Sequence, residues 1–84
     1  ICTTKIFIEK VKMTINYQEE IKFISNKIRE LRKEKQMTVQ ELAYRCDMER
    51  SNMSRIESGR TNLTVKTMCI ICNALNVNLR DIIR

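Results

Sequence analysis

The chain has 84 residues, of which 43% are hydrophobic and 31% charged, with one Gly and no Pro. This length and composition predict a single small domain, and they favour helices over sheets. No apolar run approaches the roughly 18 residues that a membrane-spanning helix needs, and the first residues lack the apolar block of a signal peptide. We therefore expect a cytoplasmic protein.

The net charge of +6 is concentrated in one part of the chain, because residues 21–35 hold six Lys or Arg against two Glu. A basic surface of this kind favours a polyanionic partner, nucleic acid before membrane. The alternative is a solvated helix face that serves solubility alone.

Four cysteines occur, at positions 2, 46, 69 and 72. The CxxC spacing of Cys69 and Cys72 is found at metal and redox sites, but the chain has no His and no second CxxC. Cys46 and Cys72 occupy apolar positions of helical patterns, where a free thiol behaves as a small hydrophobic group. We expect both to be core residues in a reducing cytosol, with no metal and no cofactor.

The N-terminal part differs from the rest, because Val11, Met13, Ile15 and Tyr17 alternate with polar residues. This alternation is typical of a short strand. We assign residues 1–16 to an N-terminal extension with a short extended segment, and residues 17–84 to the domain.

A helical period begins at Glu19. Ile21, Ile24, Ile28 and Leu31 recur at helical spacing and form one apolar stripe. The helix ends near "KQMT", where Thr38 is the predicted N-cap of the next helix and Glu41 lies three residues further on.

Two short helices are predicted next. The first runs over 39–46 and buries Leu42, Ala43 and Cys46. The second runs over 50–58, buries Met53 and Ile56, and ends at Gly59, which accepts a left-handed backbone.

Two further helices complete an all-α domain of five helices. One covers 65–75, with an apolar stripe of Val65, Met68, Ile71, Cys72 and Leu75. The last follows Asn78 as cap and carries Leu79, Ile82 and Ile83.

The irregular apolar spacing of "ELAYRCDMERSNMSRIESGR" requires two helices joined by a tight turn near Asp47. Ala43 is small enough to let them cross closely. This is the arrangement of a helix-turn-helix, whose second helix enters the major groove of DNA.

The run "IRELRKEKQMTVQELAYRCDMERSNMSRIESGRTNLTVKTMCIICNALNV" resembles the Cro/C1-type (Xre-like, lambda-repressor-like) helix-turn-helix family. Within that family, "MERSNMSRIESG" and "TNLTVKTMCIICNALNV" are most similar to the controller proteins of restriction–modification systems. The chain departs from the family pattern at three positions. Val39 replaces a phosphate-binding Gln, and Asp47 and Gln36 stand where Gly is usual.

Helical periodicity places the polar side chains of the second short helix away from the core. The predicted base-reading residues are Arg50, Ser51, Asn52, Ser54 and Arg55, the resemblance supporting Arg50, Ser51 and Arg55. An Arg can donate two hydrogen bonds to guanine. The alternative is a solvent-exposed polar face without a ligand.

Phosphate contacts are expected from the flanks of this helix, where free N–H groups at a helix N-terminus attract anions. The candidates are Gln40, Ser58, Arg60, Thr61, Asn62 and Thr64, and the resemblance supports Asn62. It also implies that Arg32 and Glu57 form a structural ion pair.

A homodimer is expected, because one such domain contacts few base pairs. Ile70, on the outer face of its helix, is the predicted interface residue together with Leu79, Ile82 and Ile83.

These features predict a transcription regulator, not an enzyme, that binds a pseudo-palindromic promoter operator as a dimer and recruits or blocks RNA polymerase at the nucleoid. A restriction–modification controller is the favoured role, and a phage-type repressor or an antitoxin is the alternative within the fold. The sequence leaves two other functional classes open. They are a protein-interaction module without DNA binding and a thiol redox enzyme that uses Cys69 and Cys72.

Overall fold

The computed structural model describes residues 15–84 as four α-helices followed by one turn of 3₁₀-helix. The elements are α1 (Tyr17–Glu34), α2 (Val39–Arg45), α3 (Arg50–Glu57), α4 (Val65–Leu75) and the 3₁₀ turn (Leu79–Asp81). Residues 15–84 contain no strand, so the all-α class is confirmed for this part of the chain. The predicted extended segment falls mainly on residues outside it. Tyr17, the last residue of the alternating pattern, is the first residue of α1.

The long helix α1 begins where Asn16 caps it. The Asn16 backbone is extended, and its Oδ1 accepts hydrogen bonds from the N–H groups of Gln18 at 2.9 Å and Glu19 at 3.2 Å. Such a cap satisfies N–H groups that have no partner inside the helix. On the apolar stripe, Ile28 is fully buried, and Ile24 and Leu31 pack half-buried beside the core. The predicted stripe is therefore confirmed at these three positions, whereas Ile21 is half-buried and lines a surface cleft.

Three helix ends are closed by residues other than Gly in the left-handed conformation. Their φ values are +58° at Gln36, +57° at Asp47 and +59° at Asn76. In each turn, the N–H of the following residue donates to a carbonyl five positions back, as Met48 does to Ala43 at 2.9 Å. These bonds form the Schellman pattern, which usually contains Gly because a side chain costs about 1–2 kcal/mol in this conformation. The turn at Asp47 therefore forms as predicted.

Helices α2 and α3 form the helix-turn-helix unit. Thr38 caps α2 through its Oγ1, which accepts from the Glu41 N–H at 3.0 Å, as predicted. Leu42 and Ala43 of α2 are fully buried, as is Met53 of α3. Because Ala43 has only a methyl side chain, the two helices can pack closely against each other.

Helix α4 and the C-terminus close the core from the other side. Ile71 and Leu75 are fully buried, whereas Val65 is 62% exposed, so Val65 is wrongly placed in the predicted stripe. As the first residue of α4, Val65 lies beyond the edge of the core.

The predicted fifth helix is a single 3₁₀ turn. It closes where the Asn78 N–H donates to Asp81 Oδ2 at 2.8 Å, and the chain then turns Ile82 into the core with 0% exposure. The last residue, Arg84, returns to α1, where its guanidinium pairs with Glu20 and lies 4.7 Å from the centre of the Phe23 ring.

Candidate nucleic-acid interface

Helix α3 has one buried and one exposed side. Met53, Ile56 and Glu57 face the interior, with 0%, 2% and 6% exposure. The five predicted base-reading residues, Arg50, Ser51, Asn52, Ser54 and Arg55, are all exposed. The structure therefore brings these five side chains onto one accessible surface, which we call the α3 face.

The beginning of α3 combines the partial positive charge of a helix N-terminus with one cation, Arg50, and one anion, Glu49. Arg50 occupies the first turn, and no acidic residue lies in that turn. Glu49 is the N-cap, but its side chain makes no capping hydrogen bond. The N–H groups of a first helical turn lack partners inside the helix and carry partial positive charge. Together with Arg50 they favour an anion at this end, while the Glu49 carboxylate opposes it.

A buried ion pair holds α3 against α1. Arg32 Nε lies 2.7 Å from Glu57 Oε2, and Arg32 Nη2 lies 3.1 Å from Glu57 Oε1. Arg32 Nη1 also donates to the Met37 carbonyl at 2.7 Å. This is the pair that the family resemblance implied, and Met37 is a third partner that sequence reasoning missed. Nothing in the sequence marks a particular backbone carbonyl as an acceptor.

The predicted phosphate-contacting residues differ in exposure and in whether their side chains already form hydrogen bonds within the chain. Gln40, Arg60 and Asn62 are exposed, and Thr61 is half-buried with an Oγ1 that has no hydrogen-bond partner. Ser58 donates its hydroxyl hydrogen to the Arg55 carbonyl at 2.6 Å.

Thr64 has a structural role, because its Oγ1 accepts from the Thr67 N–H at 3.1 Å as the N-cap of α4. This cap could have been found from the sequence, since a Thr directly before an apolar helix is a common start signal. Val39 is half-buried against the core, so the first residue of α2 offers no polar group.

The predicted dimer surface loses one of its four residues. Ile82 is fully buried within the chain, which corrects its assignment to an interface between chains. Ile83 is 40% exposed, and Ile70 and Leu79 are half-buried at the edge of the core. These three residues remain as candidates.

Cys46 and Cys72 occupy the buried environment that the sequence predicts. Cys46 and Cys72 are buried and Cys69 is exposed. Burial raises the pKa of Cys46 to about 11, and burial, then the neighbouring Cys69, raises the pKa of Cys72. Both thiols are thus protonated at neutral pH, which is unlike a nucleophilic or metal-binding cysteine. Within residues 15–84, no three acidic, Cys or His side chains cluster as a metal site would require.

None of the helices in residues 15–84 is both long enough and apolar enough to cross a bilayer.

Comparison with known proteins gives a consistent result. A family model described as "Helix-turn-helix" matches residues 28–82. The solved structure of the restriction-modification controller protein C.Esp1396I is 36% identical with a TM-score of 0.66, covering 69% of this chain and 75% of that one. The sequence matches none of the curated proteins with which it was compared.

Two further solved structures share the fold at lower identity. The restriction-modification controller protein C.AhdI from Aeromonas hydrophila is 22% identical with a TM-score of 0.76, covering 81% of this chain and 99% of that one. The clp gene regulator ClgR from C. glutamicum is 24% identical with a TM-score of 0.71, covering 74% and 80%.

Proposed function

The chain belongs to the Cro/C1-type helix-turn-helix family of DNA-binding transcription regulators, and on that premise we propose that it binds a specific promoter operator as a homodimer. The observation that carries the proposal is the α3 face. It exposes two arginines among small polar side chains, while the opposite side of the same helix is buried. A narrow helix of this kind fits the major groove.

Base recognition is assigned to the α3 face. Arg55 would donate two hydrogen bonds to one guanine, which discriminates against other bases by about 1–3 kcal/mol. Arg50, Ser51 and Asn52 lie at the N-terminal end of α3, the end that reaches base edges in this docking geometry. Ser51 and Ser54 keep the surface thin enough for close approach.

Backbone contacts are assigned to the residues around this face. Gln40, Arg60 and Asn62 are exposed and would position α3 by binding phosphates. Thr61 has a hydroxyl without a partner, which leaves a hydrogen bond available for a phosphate oxygen. Ser58 and Thr64 already use their hydroxyl groups within the chain, so we rank them below the others.

The homodimer is assigned to the end of the molecule that carries Ile70, Leu79 and Ile83. A two-fold dimer would place two α3 helices on half-sites about one helical turn apart, which predicts a pseudo-palindromic operator. The protein would then recruit or block RNA polymerase at the promoter.

Within this family, the controller of a restriction–modification system is the role that we propose. The likeness to C.Esp1396I supports it, since 36% identity extends over most of both chains. Neighbouring methyltransferase and endonuclease genes would support this role, whereas a phage cassette or a toxin gene would support the repressor or the antitoxin.

The test is selection of bound fragments from random DNA, followed by affinity measurements on the recovered sequence. We expect an inverted repeat, and we expect Arg55→Ala to relax the preference at one guanine per half-site. Arg55→Lys is the matched variant, because it keeps the charge and removes the two-pronged donor. It should lose the same base preference and keep the salt dependence of binding. If Arg55→Ala weakened binding equally on all sequences, the base-reading assignment would be wrong.

A further inference from the structure

A polar cleft lies between α1 and the loop that follows α3, beside the α3 face. Its volume is about 190 Å³, and its lining comes from two distant parts of the chain. The lining residues are Lys22, Ser25, Asn26 and Arg29 of α1 and Glu57, Ser58 and Gly59 at the end of α3. A second cleft of about 500 Å³ shares Lys22 and Gly59 with it and extends to Arg60 and Asn62.

The smaller cleft, which we call the α1 cleft, is positively charged. Among the described residues, neither Lys22 nor Arg29 forms an ion pair, and Arg29 Nη2 donates to Asn26 Oδ1 at 2.6 Å. Glu57 is the acidic residue of the lining, and both of its carboxylate oxygens already accept from Arg32. Two cations therefore face the cleft without a free carboxylate to neutralise them.

A buried hydroxyl lies at the base of the α1 cleft. Ser25 is 1% exposed, and its Oγ has no hydrogen-bond partner among residues 15–84. A buried polar group without a partner is destabilising, and such groups are uncommon in folded proteins. The backbone of Gly59 lies close to it, since a Cβ added there would lie 3.9 Å from Ser25 Oγ and 3.6 Å from Lys22 Cγ.

We propose that the α1 cleft binds a backbone phosphate of the operator next to the bases read by α3, with Lys22 and Arg29 as its cations and the Ser25 hydroxyl as a donor to a non-bridging oxygen. Because this hydroxyl is enclosed in the free protein, its bond to the phosphate requires the neighbouring Gly59 backbone to move aside when DNA binds. This inference rests on the proposed function. The cleft adjoins Ser58 and Gly59 at the end of α3, and its larger extension reaches two residues already assigned to phosphates. A DNA strand that follows α3 into the groove would therefore continue along α1.

The spacing along α1 fits this assignment. Lys22 and Arg29 are seven residues apart, which is roughly 10 Å along a helix and places them on the same side. Two cations at that separation can neutralise one phosphate from both sides or two successive phosphates.

The experiment compares salt dependence in the full chain, using the operator recovered by selection and an unrelated duplex of equal length. For Lys22→Gln/Arg29→Gln, the slope of log affinity against log salt should fall by about 1 to 2, measured between about 50 and 200 mM salt. The affinity for both duplexes should fall by the same factor, because phosphate contacts carry no sequence information. Arg55→Ala, by contrast, should change the ratio between the two duplexes.

Lys27→Gln is the matched control. Lys27 is on α1 but two residues from Ser25, about 200° around the helix, and it pairs with Glu30 at 3.6 Å. Its slope should equal that of the wild type. If Lys27→Gln lowered the slope as much as the double variant, net charge would explain the effect and the α1 cleft would not be a site.

Ser25→Ala tests the hydroxyl. Removing a buried group without a partner should leave the melting temperature unchanged or raised, and DNA affinity should fall several-fold. Unchanged affinity would remove Ser25 from the site.

The two proposals fail in different ways. If the wild-type protein bound no DNA, both would be wrong. If it bound a specific operator and the double variant kept the wild-type slope, only the α1 cleft would be wrong.

Discussion

Two ion pairs of the domain, Arg32–Glu57 and Arg84–Glu20, have nearly the same geometry in different surroundings. Arg32 and Glu57 meet at 2.7 and 3.1 Å, with side chains 10% and 6% exposed. Arg84 and Glu20 meet at 3.2 and 3.1 Å, with side chains 51% and 33% exposed. Both pairs join an Arg to a Glu on an element distant in sequence, so the main difference between them is access to water.

This difference decides what each pair contributes. At the surface, water replaces either partner, and such pairs contribute little to stability. In the interior, water does not replace either partner, so Arg32 and Glu57 depend on each other. Arg32 also donates a hydrogen bond to the Met37 carbonyl. The buried pair joins α1, the turn after it and α3. It therefore sets the position of the α3 face.

Removing one partner of the buried pair should have the largest effect. For Glu57→Ala, we expect the free energy of unfolding to fall by about 3–5 kcal/mol, because the Arg32 charge is left buried without its partner. Urea titration followed by circular dichroism measures it. For a domain of this size, such a loss is a large part of the total stability.

The control for this prediction is the double variant Arg32→Met/Glu57→Leu, which replaces both charges with apolar groups. Such replacements are often neutral or stabilising, so the double variant should recover most of the loss. A double variant as unstable as Glu57→Ala would mean that packing, not the uncompensated charge, explains the effect.

The buried thiol of Cys46 should have a smaller effect on the free energy of unfolding, and this effect should depend on pH. Burial raises the pKa of Cys46 from 9.0 to about 11. Above pH 9 the unfolded chain releases this proton and the folded chain keeps it, so unfolding becomes more favourable as the pH rises. The contribution of Cys46 should be fully present below pH 9 and lost towards pH 11.

Thermal melts between pH 9 and 11 measure this loss of stability. Cys46→Ala removes the thiol and should lose less stability between pH 9 and 11 than the wild type does. Parallel curves for the two proteins would show that other groups cause the alkaline loss.

Breaking the exposed pair should have the smallest effect. Glu20→Ala should shift the melting temperature by a small fraction of the change seen for Glu57→Ala, because water solvates the Arg84 charge that remains. The effect should also disappear in high salt, which screens exposed charges. A salt-independent loss would mean that the contact of Arg84 with Phe23, not the ion pair, holds the C-terminus.

Most of the fold could be predicted from local patterns. The ends of α2, α3 and α4 fall within one residue of the prediction. The reason is that a cap such as Thr38 and a turn such as that at Asp47 depend only on residues adjacent in the sequence. The 3₁₀ turn was harder to predict, since Leu79, Ile82 and Ile83 fit a helical stripe equally well. The segment forms a 3₁₀ turn and not a longer helix because Ile82 packs into the core, and this packing involves residues distant in the sequence.

The same distinction applies to the candidate site. The exposure of Arg50 and Arg55 follows from helical period alone once Met53 is placed in the core. The α1 cleft could not be predicted, because it joins Ser25 to Gly59 across 34 positions of sequence. A serine within a basic helix gives no sign that its hydroxyl will be covered by a distant loop.

The division of α3 into two sides has an evolutionary consequence. The residues that anchor it, Met53, Ile56 and Glu57, are separate from those assigned to base recognition. Mutations can therefore exchange the outer side chains one at a time without disturbing the interior. A lineage carrying this scaffold could acquire a new target sequence rapidly while its thermal tolerance stays constant.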